Sequence, residues 1–350
     1  MPKRRMLLLT EGHFGVYSSK TAVSIIRYCR DEVAGVLDSK VAGRRIEEMI
    51  GFGEGVPIFA TLKEALSVKP TEIVVGVAPV GGGLEGVWRE RVKEALLAGI
   101  SVISGLHVMI GEDAELSAIA ARTGARIYDF RKSPENLPIA GMKAMETKAF
   151  RVLMIGTDCC SGKMVTALEL TAAARAAGLD ARFLATGQTG IMIAGKGIAI
   201  DHTVSDFTAG AAEKLVLDDG DADVVFVEGQ GSLIHPGYSG VTLSLMHGTL
   251  PQAMVLCHVH KRRFVQGFPR DVKLPALPEM IELSERAMKP IFPSKVVGIS
   301  LNTLGLSDAD ARKAVDKAAA ATGLPATDVI RFGVAPLFNA VREVMNEASH

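Results

Sequence analysis

The run Arg151–Leu170, RVLMIGTDCCSGKMVTALEL, constrains this chain more than any other. An apolar stretch runs into Gly156, five residues separate it from Gly162, and Lys163 opens a helical pattern. Strand, glycine-bearing turn and helix in that order build a phosphate-binding loop. Backbone N–H groups and the helix dipole point at an anion, and a lysine adds a point charge. Gly156, Thr157, Asp158, Cys159, Cys160, Ser161, Gly162, Lys163 and Met164 are therefore the candidate cofactor-binding residues. Met164 stands where such loops carry the hydroxyl that ligates Mg²⁺. The loop should hold phosphates without the usual magnesium-dependent hydrolysis.

A chain of 350 residues fits two domains. Apolar β-rich runs alternate with helical patterns in two successive blocks, which implies parallel strands joined by crossover helices. The expected fold class is α/β with two domains: an N-terminal Rossmann-like parallel sheet over 1–130 and a C-terminal P-loop NTPase-like parallel sheet over 148–350. The stretch 131–147, with two prolines and no clean period, reads as the linker. In the first block Arg5–Thr10, Glu32–Leu37, Glu72–Ala78 and Ile100–Ser104 read as strands. In the second, Arg151–Ile155, Ala181–Ala185, Asp223–Val227, Ala253–Cys257 and Val296–Leu301 do so. Ser18 or Ser19 is placed to cap the first helix, and Gly81–Gly83 reads as a flexible loop.

Lysine plus arginine equals aspartate plus glutamate at 39 each, so no net charge draws the chain to nucleic acid or an anionic membrane. The absence of strong self-repulsion leaves a homo-oligomer as the expectation. Four cysteines without paired metal-ligand spacing, two of them adjacent in the phosphate loop, no signal-peptide core and no apolar run of bilayer length point to a cytoplasmic protein and away from a metal motif.

Other candidates lie at strand ends. Val224–Val227 runs into Glu228, placed to meet a metal, a water or an amine, and VVGISLNT carries Asn302, which can read an adenine edge or close a turn. Glu228, His235 and His258 are the catalytic candidates, in that order, because a carboxylate or an imidazole can take a proton near neutral pH. His247, His260, Asp201 and Asp206 are weaker candidates. Asp158 would repel phosphate if it faced inward and so should cap the loop or meet substrate from its outer side. Cys159 at a helix start is a candidate low-pKa thiolate. Gln188 and Thr189 in a glycine-rich loop, Ser232, and Arg263 in the basic stretch Lys261–Arg263 are the candidate substrate-binding residues.

GTDCCSGK, VEGQGSLIHP and GISLN together resemble the phosphate loop, acidic strand end and adenine-reading strand of dethiobiotin synthetase. The run ARFLATGQTGIMIAG has no lysine where that synthetase carries one, which points away from its chemistry. A resemblance over nearly the whole chain is carried by LLLTEGHFGVYSSKTA, GTDCCSGKMVTALEL, ATGQTGI, VSDFTAGAAE and VEGQGSLIHPGYSGVTL. These look like a bacterial family labelled as a domain of unknown function, with a Rossmann-like and a P-loop domain. One branch of it includes a D-glutamate N-acetyltransferase that uses acetyl-CoA. The resemblance implies an amino-acid N-acetyltransferase whose P-loop holds the phosphates of acetyl-CoA, acting on D-glutamate or a related acidic amino acid. The alternatives are an ATP- and Mg-dependent ligase or kinase and a nucleotide-binding sensor.

Overall fold

The structure is a computed structural model that describes residues 4–16, 18–77, 83–84, 86–268 and 270–348. Residues 78, 81 and 82, assigned above to a strand end and a glycine loop, lie outside these. The chain forms two compact units: residues 1–133 with 191–195, and 134–190 with 196–350.

The first unit is built on β1 (Met6–Leu9), β2 (Val33–Leu37), β3 (Ile58–Phe59), β4 (Glu72–Val75), β5 (Ser101–Ser104) and β6 (Ile127–Asp129). The order is β3-β2-β1-β4-β5-β6, and every pair is parallel. β1 shows why the run MLLL must be apolar throughout. Leu7 and Leu9 enter one core cluster and Met6 and Leu8 another, because the sheet is covered on both faces. The strand order reverses direction between β1 and β4, the place where Rossmann-type sheets open a crevice.

The second unit has β7 (Phe150–Gly156), β8 (Ala181–Leu184), β9 (Val224–Val227), β10 (Ala253–Val259), β11 (Lys295–Asn302) and β12 (Ala326–Thr327). Their order, β12-β11-β10-β7-β9-β8, is again parallel throughout and puts β7 between β10 and β9. The residues following β7, β9 and β10 are thus gathered at one end of the sheet.

Several readings need correction. Gln188, Thr189 and Gly190 do not form a loop; they open the helix Gln188–Ala194. Gly190 gives that helix a loop-like sequence, but a Cβ there would overlap Glu228 Oε2, so packing demands the glycine. The helix Ser239–Thr249 went unread for a similar reason. Its Gly248 lies against Ala209 O of the helix Ser205–Asp218, too close for any side chain. Neither Ser18 nor Ser19 caps the helix Lys20–Tyr28. Ser19 Oγ bonds Gly15 N and O instead, and Ser18 Oγ donates to His13 O. The segment read as a linker is held down: Gly141 N and Lys143 N donate to the Glu213 carboxylate at 2.9 and 2.6 Å. No helix among the described residues is long and apolar enough to cross a membrane.

Candidate active site

The loop after β7 carries two left-handed residues, Cys160 at φ 52° and Gly162 at φ 99°. They turn the chain sharply so that the helix Lys163–Ala176 starts immediately. Thr157 N donates to Cys257 O at 3.0 Å and Cys159 N to Asp158 Oδ1 at 2.7 Å. The amides from Cys160 to Lys163 donate to no acceptor among the described residues. Four such donors at a helix start make an anion cradle.

Lys163 is buried, and its ammonium donates to Asp158 O (2.8 Å), Gly231 O (2.9 Å) and Ser161 Oγ (3.3 Å). Burial pulls its pKa below the usual lysine value. An anion in the cradle gains Lys163 by exchange for one of these oxygens. Thr166, the next hydroxyl along the helix, is committed to Gly162 O and Ser300 Oγ at 3.0 and 2.7 Å. It therefore does not replace the hydroxyl that Met164 lacks.

Asp158 does cap the loop from behind. Its Oδ1 accepts from Cys159 N, and its Oδ2 accepts from Arg262 Nη1 at 3.0 Å and Gln266 N at 2.9 Å. Arg262 also donates to Cys159 O. Arg263, the candidate for substrate binding, is exposed, and the neighbouring Arg262 is the one that reaches Asp158. Asp158, Cys159 and His235 place one ligand-type atom each within 4.8 Å of one another. A cation there would compete with the Arg262 guanidinium for Asp158, so the trio fits loop support better than metal binding.

Burial pushes the Cys159 thiol up, and Lys163 and Arg262 only partly oppose this. That corrects the expectation of a low-pKa thiolate. His235 is buried; its Nδ1 accepts from Gly237 N at 3.1 Å, and its ring lies 4.6 Å from that of Tyr238. The turn that carries it is closed by His235 N donating to Ser232 O at 3.0 Å, which gives Ser232 a shaping role. His258 Nδ1 lies 2.9 Å from Thr157 Oγ1. Burial, reinforced by Arg262 and His260, lowers His258 to about 4. The shift favours the neutral ring, which suits holding Thr157. Asn302 Oδ1 accepts from Leu304 N at 3.0 Å, a turn-closing bond.

Glu228 is the group whose chemistry stands out. It is 7% exposed, and its Oε2 accepts from Thr186 N at 2.9 Å and Gly187 N at 3.1 Å. Desolvation raises its pKa to about 7; those two amides and Lys163 pull the other way, while Asp201 adds to the rise. Gly229, next to it, sits against Met154 O, and a Cβ there would also press Lys163 Cδ. Gly229 thus packs between the Met154 backbone and the Lys163 side chain, and Glu228 feels the Lys163 charge. A carboxyl that titrates near neutrality beside an anion cradle can exchange a proton with an amine or a water.

Residues 138–338 match the P-loop domain of DUF1611, and residues 39–133 match its Rossmann-like N-terminal domain, both described as domains of unknown function. The chain belongs to the DUF1611 family. A DUF1611 family protein from Anabaena variabilis, known from a crystal structure, is 40% identical and has a TM-score of 0.92. The match covers 97% of this chain and 99% of that one. Two relatives carry the name D-glutamate N-acetyltransferase. That of Tritonibacter scottomollicae is 39% identical over 288 residues, covering 81% of this chain and 85% of the relative. That of a Pseudoalteromonas species is 37% identical over 272 residues, covering 77% and 81%. The two-domain α/β reading and the family resemblance both stand.

Proposed function

We propose that this protein is an N-acetyltransferase acting on D-glutamate or a related acidic amino acid, with acetyl-CoA as the donor. The names of the two relatives support the reaction class. The observation that carries it here is Glu228, buried and titrating at about 7 beside a cradle whose lysine is followed by Met164. Acyl transfer from a thioester needs no magnesium-ligating hydroxyl. It needs an amine relieved of its proton and donors for the developing oxyanion.

In this reading the substrate's ammonium gives its proton to Glu228, directly or through water. The amine nitrogen then bonds the acetyl carbon, the carbon–sulfur bond breaks, and the thiol leaves with a proton. The four open amides and Lys163 fit the phosphates of acetyl-CoA. A second reading is favoured by the electrostatic closeness of Lys163 and Glu228. Phosphates in the cradle would put the thioester a pantetheine arm away from Glu228, whereas a substrate carboxylate in the cradle would put its own amine beside it. The variant Lys163→Ala separates the two. It raises the KM for acetyl-CoA in the first and for the amino acid in the second.

The test is thiol release from acetyl-CoA across D- and L-amino acids, with calorimetry of acetyl-CoA, CoA and ATP with and without Mg²⁺. Thiol release with D-glutamate is expected. No release with any amino acid, or Mg-dependent ATP turnover, would overturn the proposal.

A further inference from the structure

We propose that the strand-order reversal between β1 and β4 of the N-terminal unit holds a second binding site, for a small zwitterion of the α-amino-acid class. The proposal is independent of the acetyl-transfer reading. Ligands of sheets ordered like this one bind outside the carboxyl ends of the strands at that reversal. Glu11 stands there, two residues past β1. Trp88 and Arg91 stand on the helix Gly86–Leu97 that follows β4, spaced to share one face.

Three buried polar atoms at this place make no hydrogen bond among the described residues: Glu11 Oε2, Trp88 Nε1 and Arg91 Nε. Glu11 is 8% exposed, and its other oxygen accepts from Ser39 Oγ. Arg91 Nε lies 3.6 Å from Glu11 Oε2, too far for a hydrogen bond. The remaining guanidinium nitrogens turn to Glu94 Oε2 and Ala60 O. The His13 ring lies 5.1 Å from the Trp88 ring and flanks the indole. Glu11 also holds a left-handed backbone, φ 29°, which is strained for a residue with a side chain. Unmet buried polar groups and backbone strain at a strand-order reversal are the marks of a ligand site.

The chemistry selects the ligand. A nucleotide pyrophosphate would need the loop amides, but Gly12 N and Phe14 N already donate to the Asp38 carboxylate at 2.8 and 3.2 Å. A phosphate would meet two carboxylates instead of free donors. Glu11 Oε2 calls for an ammonium. Trp88 Nε1–H and Arg91 Nε–H call for oxygen acceptors, such as a carboxylate. A neutral zwitterion supplies both to a pair whose own charges cancel.

Trp88 is the only tryptophan in the chain, so intrinsic fluorescence reports on this place alone. The full-length protein is titrated with D-glutamate, L-glutamate and L-alanine, and with N-acetyl-glutamate, which lacks the ammonium. A saturable change with a free amino acid is expected. It should weaken at least tenfold in Glu11→Gln, fail with N-acetyl-glutamate, and persist in Lys163→Ala, which leaves this unit untouched. Calorimetry on Arg91→Gln gives a second reading should Glu11→Gln fold poorly. The absence of any saturable change, or binding that ignores both substitutions, would mean that Glu11 and Arg91 form only a loose ion pair.

Discussion

After β1 the chain turns through residues 10–16 and 18–19, and after β7 it turns through residues 157–162. Both turns lead from a central parallel strand into a helix, and both stand where strand order reverses. Their amides are used differently. In the first turn, Gly12 N and Phe14 N donate to Asp38, His13 N to Thr10 O and Gly15 N to Ser19 Oγ. In the second, Asp158 takes one amide and turns its other oxygen to Arg262, leaving Cys160–Lys163 open. Topology makes the crevice, and the placement of one carboxylate decides whether an anion can enter it.

Substitutions can break or sharpen this contrast. The largest effect is expected at Glu228. Glu228→Gln should lower acetyl transfer about 10²–10⁴-fold, the range for loss of a general base. Wild-type activity should rise with pH through about 7 as Glu228 ionises. Stability should move in the opposite direction. The folded pKa is about 7 against the usual glutamate value of 4.5, so the folded state holds the proton more tightly. The associated stability is present below about 4.5 and is lost as pH rises through 7. Glu228→Gln should therefore be more stable than wild type at pH 8, by up to roughly 3 kcal/mol. Thermal melting at pH 5 and pH 8 checks this; a purely structural carboxylate would give a less stable variant at both.

Lys163→Ala should come next, at about 10²–10³-fold, as for other preorganised donors in a dry site. Steady-state kinetics measure it, and melting shows whether the fold survives. Asp38→Ala should leave chemistry at Glu228 alone but cost about 3 kcal/mol or more of stability. It strips the acceptor from Thr10 Oγ1, Gly12 N, Phe14 N and Lys40 N. Urea unfolding tests it, and a silent result would mean that the first turn is not held by Asp38. The smallest effect is expected from Met164→Ser. Acetyl transfer should stay within about twofold, and a new Mg²⁺ dependence of turnover would put the loop back among nucleotide hydrolases.

Much of this was legible because buried parallel strands must be apolar on both faces. Runs such as MLLL and VVFV match that requirement residue by residue. The phosphate loop was legible from its two glycines and lysine. Strands of two or three residues, β3, β6 and β12, carry too little pattern to be read. The full length of β10 was also hidden. It runs on to Val259 because Val259 pairs with Asn302 in β11, and that pairing carries His258 into a half-buried position. Arg262 and Arg263 are alike in composition, and only the fold decides which one reaches Asp158. The environment of Glu228 comes from Thr186 and Gly187, more than forty residues away in sequence.

The setting of Lys163 has a consequence for self-modification. With acetyl-CoA as the donor, as proposed above, the protein would expose its own amines to acylation. That reaction needs a free lone pair and room for a tetrahedral carbon. The three N–H groups of Lys163 each face an oxygen, and the residue is 6% exposed. Prolonged contact with acetyl-CoA should mark exposed lysines such as Lys313 before it marks Lys163. Peptide mapping by mass would show it, and the loop would keep its charge through many turnovers while the surface slowly loses its own.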